Sequence, residues 1–127
     1  MSLKVVHTDD APKAVGPYSQ AIKAGNFVYV SGQLPIDPKV GKVVEGGIQA
    51  ETRQSLLNAK EILKSEGYDF TDVVKTTVFL DKISDFAAMN EIYAEFFSEH
   101  KPARAAFEVA ALPFGVNVEI QMVAYKE

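Results

Sequence analysis

Alternating and β-branched-rich stretches predict six β-strands in this chain. The stretch Val73–Leu80 has the strongest pattern, and residues 27–32 (Phe-Val-Tyr-Val-Ser-Gly) are similarly rich in β-branched and aromatic residues. Gly25-Asn26 precedes the latter and predicts a hairpin turn. The six predicted strands are residues 4–7, 18–24, 27–32, 73–80, 103–109 and 116–125. Residues 34–47 are expected to form an irregular loop, because Pro35 and Pro38 cannot donate to a ladder.

The hydrophobic period changes to that of a helix in two places. Residues 48–66 place Leu56, Ile62 and Leu63 on one helical face, and Gly67 supplies a stop. A second helix follows residue 84, with Ser84 as the predicted N-cap. The resulting order is β-β-β-α-β-α-β-β. Because both helices have one strong apolar face, we expect an α+β two-layer sandwich: one domain, 1–127, with a six-stranded mixed sheet and two helices on one face.

Composition excludes several classes of protein. The chain has 127 residues, a formal net charge of -4 and no cysteine. The basic residues do not cluster, which argues against a nucleic-acid surface, and no thiol chemistry is available. No apolar run reaches the roughly 20 residues of a membrane span, and the N-terminus lacks the pattern of a signal peptide. We therefore expect a cytoplasmic protein.

The strand at 103–109 carries a candidate anion site. Its alternation places Arg104, Ala106 and Glu108 on one face. The opposite set, Ala103, Ala105, Phe107 and Val109, is expected to face the core. A guanidinium beside a small alanine suits a planar anion such as a carboxylate. The alternative is an arginine in an ordinary surface ion pair.

The sheet face away from the helices is expected to be partly apolar. We predict that it carries Arg104, Glu119 and Gln121 among apolar residues such as Ala106 and Val123. A half-apolar face left bare is unusual, so self-association is expected.

Other positions add weaker signals for a small-anion site. Glu119 in mid-strand is either a general base with a raised pKa or a solvent-facing glutamate. Ser31-Gly32 at a strand end permits close approach of the backbone to a ligand or simply ends the strand. Tyr18 is a hydroxyl donor or a core tyrosine. His7 and His100 are isolated, so neither a metal site nor a cofactor is predicted.

Four segments in this order carry a resemblance to a known family. They are residues 16–20 (Gly-Pro-Tyr-Ser-Gln), 31–33 (Ser-Gly-Gln) with Asp37-Pro38, 102–113 (Pro-Ala-Arg-Ala-Ala through Leu-Pro), and 118–120 (Val-Glu-Ile). The chain resembles the Rid, or YjgF, family of reactive intermediate deaminases, in particular its RidA branch. The match extends over nearly the whole length.

The resemblance implies a chorismate-mutase-like fold and a homotrimer whose sheets form an inner barrel. It places three sites in clefts between subunits. The implied reaction is hydrolysis of reactive enamine and imine acids, such as 2-aminoacrylate, 2-iminopropanoate and 2-iminobutanoate, to 2-oxo acids and ammonia, without a cofactor.

The resemblance also assigns roles to particular residues. Arg104 falls on the family's carboxylate-binding arginine, and Glu119 on the glutamate thought to orient the attacking water. Tyr18 is the third implied catalytic position. The implied substrate-binding positions besides Arg104 are Ser31, Gly32, Asn90 and Ala106. Ala106 occupies the place where many bacterial members have a cysteine, so that thiol has no role here. Two alternatives stay open: a non-catalytic 2-oxo-acid-binding regulator or chaperone, and a ribonuclease or translation inhibitor, which the acidic balance disfavours.

Overall fold

A six-stranded mixed sheet organises the protein. The computed structural model describes residues 2–127. The sheet strands are β1 (Leu3–Val6), β2 (Ala21–Ala24), β3 (Phe27–Gln33), β6 (Val73–Leu80), β7 (Ala103–Glu108) and β8 (Val118–Tyr125). The other elements are the short strands β4 (Ile36–Asp37) and β5 (Lys42–Val43) and the helices α1 (Gly47–Lys64) and α2 (Phe86–Phe96).

The strands lie in the order β1-β2-β3-β8-β6-β7. All neighbouring pairs are antiparallel except β6 and β7, which are parallel and are connected through α2. A parallel pair needs such a crossover, whereas the antiparallel β2–β3 pair closes through the predicted hairpin at Gly25. The mixed six-stranded sheet predicted from the sequence is confirmed.

Both helices cover one face of the sheet and bury the core there. On β8 the residues Val118, Ile120, Met122 and Ala124 are buried, while their alternate neighbours are more exposed. The facing helices contribute a buried set: Leu56, Ala59, Ile62, Leu63, Met89 and Tyr93. The two-layer α+β sandwich is confirmed.

The prediction of an irregular loop over residues 34–47 was wrong in part, because this segment contains a small hairpin. Ile36 pairs with Val43, and Asp37 pairs with Lys42. Pro35 and Pro38 lie just outside this two-residue ladder, so neither proline has to donate to it. The buried side chain of Asn58 on α1 donates to the carbonyls on either side of Pro35, at 3.1 and 2.9 Å, and holds the hairpin against the helix.

Ser84 does not cap α2, which corrects the predicted N-cap. It lies within a single 3-10 turn, Ile83–Asp85, and no side chain caps the helix that begins at Phe86. The Glu108 carboxylate of β7 instead accepts a hydrogen bond from the Ile83 N–H at 2.8 Å. A long-range partner therefore satisfies a donor for which the sequence suggested a local cap.

The two faces of β7 are the reverse of the prediction. Arg104, Ala106 and Glu108 share a face, as expected, but this face lies on the helix side. Arg104 pairs with Thr76 and Ala106 with Val78, two residues fully buried beneath the helices. The predicted core residues Ala103, Ala105 and Phe107 lie on the uncovered side, where Phe107 is 44% exposed. Alternation fixes which residues share a face, but it does not say which face the helices cover.

The uncovered side of the sheet, here called the open face, is rich in large apolar residues. Its exposed members are Leu3, Val5, Phe27, Tyr29, Phe107 and Tyr125. Glu119, Gln121 and Val123 lie on it as predicted, whereas Arg104 and Ala106 do not. Within residues 2–127 neither helix is long and apolar enough to cross a membrane.

Neighbouring leucines of α1 test where the core lies. Leu56 is fully buried and Leu57 is 39% exposed. We expect Leu56→Ala to lower the free energy of unfolding by about 2–5 kcal/mol, because it removes packed methyl groups and leaves a cavity. Leu57→Ala, the matched control, should cost about 1 kcal/mol or less. Urea unfolding at equal protein concentrations measures both, and equal losses would contradict this placement of the core.

Candidate active site

A β-bulge brings Gly32 directly beneath the Glu119 side chain. Val30 pairs with Met122 and Gln33 with Ile120, so Ser31 and Gly32 of β3 together oppose the single residue between those partners. The Glu119 carboxylate lies over Gly32. A Cβ at position 32 would be 2.8 Å from the Glu119 carboxyl carbon and still closer to one oxygen. The carboxylate therefore occupies the space that any larger residue at 32 would fill.

Partial burial sets the proton affinity of Glu119. Its neighbour across the ladder on β6 is Phe79, which offers neither charge nor hydrogen bond. Burial raises the pKa of the Glu119 carboxyl above its ordinary value of 4.5. A carboxylate with a raised pKa can accept a proton from water and return it, as a general base must.

Tyr18 borders an open cleft that also reaches Gly32. The cleft has a volume of about 480 Å³, and its lining includes Val15, Tyr18, Gly32 and Phe114. Tyr18 is 54% exposed, which excludes the core alternative, and its hydroxyl accepts a hydrogen bond from the Val15 N–H at 3.4 Å. A small molecule in this cleft would meet an aromatic hydroxyl, an apolar rim and the backbone of Gly32.

Ser31 anchors the segment that carries Tyr18. Its hydroxyl donates to the Ser19 carbonyl at 2.6 Å, and its N–H donates to the Gln20 carbonyl at 2.9 Å. Both Ser31 donors are thus used within the chain, and the hydroxyl keeps only acceptor capacity for a ligand. Tyr18, Ser31, Gly32 and Glu119 are linked through this segment, the cleft and the bulge, and this set is called the Glu119 cluster below.

Arg104 lies in a second group of residues, on the helix side of the sheet. It donates from Nη1 to Asn90 Oδ1 at 2.6 Å, and its guanidinium carbon is 4.7 Å from the centre of the Tyr93 ring and 5.4 Å from that of Phe86. The Tyr93 hydroxyl is in turn 2.7 Å from Thr76 Oγ1. Arg104, Asn90, Phe86 and Tyr93 form what is called the Arg104 cluster below.

The Arg104 cluster leaves the guanidinium available to an anion. Within residues 2–127 the ion pairs are Lys4–Glu66, His7–Asp9 and Arg53–Glu95, so no carboxylate pairs with Arg104. The alternative of a surface ion pair is therefore not realised in the described chain. Two rings and an amide hold the fork in place, and no other hydrogen bond of the described chain uses its donors, which suits a planar carboxylate.

The two clusters do not meet within one chain, and the prediction that Arg104 and Glu119 share a face was wrong. Glu119 pairs with Phe79 on the open face, whereas Arg104 pairs with Thr76 on the helix face. Ala106, predicted to line the substrate pocket, packs against the hydrophobic core instead. Asn90 contacts Arg104, and its amide oxygen is already used there.

Sequence reasoning missed the aromatic partners of Arg104 and the rim residue Phe114. Phe86, Asn90 and Tyr93 follow the i, i+4, i+7 spacing that aligns side chains on a helix, which was a usable signal. Phe114 is 79% exposed and has a φ of 59°, in the left-handed region. No feature of the sequence indicated that conformation. No group of acidic, histidine or cysteine residues within 2–127 could hold a metal ion.

The chain is an α+β protein with an oriented arginine on one side of its sheet and a partly buried glutamate on the other. The model of the family described as Endoribonuclease L-PSP matches residues 8–126. The chain therefore belongs to this family, the Rid/YjgF family.

Individual relatives agree with this assignment. A RutC family protein of Pyrococcus horikoshii is 57% identical over 124 residues, 98% of each chain. The human 2-iminobutanoate/2-iminopropanoate deaminase is 52% identical over 121 residues, 95% of this chain and 88% of the human one. A Yersinia pestis protein of the conserved Rid protein family has a crystal structure with a TM-score of 0.95 at 43% identity, covering 98% of this chain and 100% of that one.

The contact between Gly32 and Glu119 predicts a strongly coupled pair. Gly32→Ala should lower the free energy of unfolding by about 1–3 kcal/mol, because the added methyl overlaps the carboxylate. Gly32 lies outside the left-handed region, so the alanine adds no backbone strain there. In a Glu119→Ala background the same substitution should cost close to nothing. Urea unfolding of the four proteins measures the coupling, and an equal cost in both backgrounds would contradict it.

Proposed function

We propose that this protein hydrolyses reactive enamine and imine acids, such as 2-aminoacrylate, 2-iminopropanoate and 2-iminobutanoate, to 2-oxo acids and ammonia. The observation that carries the proposal is the Arg104 guanidinium, which Asn90, Tyr93 and Phe86 orient and no carboxylate of the described chain neutralises. The deaminase name of the human relative supports it. The cytoplasmic location expected from the sequence is part of the proposal.

The complete site in this proposal is built by two chains of a homotrimer. The sheet separates the Arg104 cluster from the Glu119 cluster, so one small molecule cannot contact both within one chain. The apolar open face supports self-association, because apolar surface of this extent is otherwise costly to leave in water. A neighbouring copy seated against the open face would bring its Arg104 cluster towards Glu119.

Catalysis in this proposal begins with the carboxylate of the substrate pairing with Arg104. The enamine takes a proton from water on its terminal carbon and becomes the iminium form of the imine, whose central carbon is electrophilic. A water held by Glu119 attacks that carbon as its proton passes to the Glu119 carboxylate. The Glu119 carboxyl returns this proton to the nitrogen of the resulting carbinolamine. As the C–N bond breaks, the carbinolamine hydroxyl releases its proton to solvent, and ammonia and the 2-oxo acid leave. A positioned base of this kind typically contributes on the order of 10²–10⁴ in rate.

Glu119 separates this proposal from a non-catalytic role. A regulator or chaperone that only binds 2-oxo acids would use Arg104 but would not need a partly buried carboxylate with a raised pKa over Gly32. A ribonuclease or translation inhibitor is disfavoured by the net charge of -4, since RNA binding depends on basic surface.

Substitutions of Arg104 test the carboxylate anchor. A dehydratase generates 2-aminoacrylate from serine in situ, and pyruvate formation above the spontaneous rate measures activity. Arg104→Lys keeps the charge but loses the fork, so we expect kcat/KM to fall about tenfold, and Arg104→Ala about 10²-fold or more, since charge-assisted hydrogen bonds are worth roughly 1.5–3 kcal/mol each. Arg53→Ala, which removes a surface arginine paired with Glu95, is the control and should leave activity unchanged. Equal acceleration by the wild type and Arg104→Ala would contradict the assignment of Arg104 as the carboxylate anchor.

Mixed oligomers test the two-chain site. Arg104→Ala and Glu119→Gln proteins should each be nearly inactive alone. When they are unfolded together in equal amounts and refolded, random assembly should give about one quarter of the interfaces an intact Arg104 and an intact Glu119. Activity should therefore recover to about a quarter of that of wild type treated in the same way. No recovery, despite mass-spectrometric evidence of mixed oligomers, would place both groups in the same chain and contradict the proposal.

A further inference from the structure

The structure points to a positioning role for Glu51, through Asn117, in setting the place of Glu119. Neither Glu51 nor Asn117 belongs to the two clusters described above. We infer that this pair fixes the start of β8 and thereby holds the Glu119 carboxylate over Gly32. The inference rests on the proposed function, because it concerns how the proposed base is held.

The Glu51 carboxylate is buried and depends on Asn117 for its hydrogen bonds. Glu51 lies on α1 and is only 5% exposed. One carboxylate oxygen accepts the backbone N–H of Asn117 at 2.7 Å, and the other accepts the Asn117 Nδ2–H at 2.6 Å. No cation of residues 2–127 forms an ion pair with Glu51. Since a buried carboxylate is costly without partners, this two-pronged contact strongly restrains residue 117.

The restraint on residue 117 also restricts Glu119, which lies only two residues further along the chain. Asn117 precedes Val118, the buried first residue of β8, and Glu119 is the next residue. The Asn117 carbonyl accepts the Asp81 N–H at 3.0 Å, which ties the same point to the end of β6. The start of β8 is therefore fixed from the helix layer on one side and from the neighbouring strand on the other.

Glu119 itself has little else to orient it. Its ladder partner on β6 is Phe79, the residue beneath it on β3 is Gly32, and the next residue on its own face of β8 is Gln121. None of these three side chains titrates. Its direction is thus set by the backbone of β8 and by the bulge at Gly32. A displacement of about 1 Å at a reacting group can cost on the order of 10² in rate, so loosening residue 117 should weaken catalysis.

A reciprocal exchange of hydrogen-bonding groups tests the pair. Glu51→Gln sets a donor against the Asn117 amide donor, and Asn117→Asp sets two carboxylates against each other. In the double variant, residue 51 donates from its new amide to the carboxylate at 117 and still accepts the backbone N–H. The double variant therefore restores both hydrogen bonds and the original net charge. Glu61→Gln, on the same helix, is the matched control.

We expect each single variant to lower kcat by about 10- to 100-fold, while KM changes by less than about threefold because the Arg104 cluster is untouched. The double variant should return to within about threefold of the wild type, and Glu61→Gln should match the wild type. If a single variant fails to fold, Asn117→Ala replaces it, because this variant keeps the hydrogen bond from the backbone N–H of residue 117 to Glu51. A smaller loss of kcat is expected for it. Variants that lose unfolding free energy but keep the wild-type kcat would show a purely structural pair and overturn the inference, as would single variants that the double variant does not rescue.

A second measurement does not depend on enzymatic activity. Carboxyl-¹³C titration by NMR, with the Glu119 signal assigned from Glu119→Gln protein, reports the pKa of Glu119 directly. We expect this pKa to fall towards its ordinary value in the single variants, because a loosened carboxylate is more hydrated, and to rise again in the double variant. An unchanged pKa in folded single variants would overturn the inference. If the wild type shows no deaminase activity, the proposed function fails, while this titration still decides whether Glu51 positions Glu119.

Discussion

The arrangement of this protein depends on the two-residue period of β8. Every second residue of that strand lies beneath the helices, and the residues between them lie on the open face. This alternation presses Val118 and Ile120 into the core and, by the same constraint, presents Glu119 on the opposite side. The carboxylate cannot move to the helix face without moving the core residues out. The position of the Glu119 side chain is thus fixed by the burial of Val118 and Ile120 on either side of it.

The two clusters are positioned by different physical means. Arg104 extends from an edge strand and is oriented by its own contacts, an amide on one helix and two aromatic rings. Among residues 2–127 no ion pair holds the Glu119 side chain, which depends on its backbone and on the absence of a side chain at Gly32. A long, flexible cation needs partners that reduce its rotamer freedom, whereas a short side chain on a central strand is already placed by the sheet.

Most of the fold could be predicted because local periodicity determines it. The bounds of β6 agree with the prediction at both ends, and α1 differs by only one or two residues. The faces of β7 could not be predicted, since Ala103, Ala105 and Phe107 are more apolar than Arg104 and Glu108. Hydrophobicity alone therefore assigns the wrong set to the core when the open face is itself apolar.

The sequence indicated Gly32 and Glu119 separately, but their contact depends on a bulge that arises from pairing between distant strands. The hydrogen bonds of Glu51 likewise join residues far apart in sequence.

The missing side chain at Gly32 has a consequence for how this sequence can vary. In the rotamer that Glu119 adopts, a Cβ at position 32 would overlap its carboxylate, although the backbone of position 32 lies outside the left-handed region. A side chain at position 32 therefore requires the Glu119 side chain to turn away or to become smaller. Among related sequences, a side chain at the position of Gly32 is expected to accompany a smaller or displaced side chain at the position of Glu119. The pair can then serve as a criterion for separating relatives that keep this contact from relatives that share only the fold.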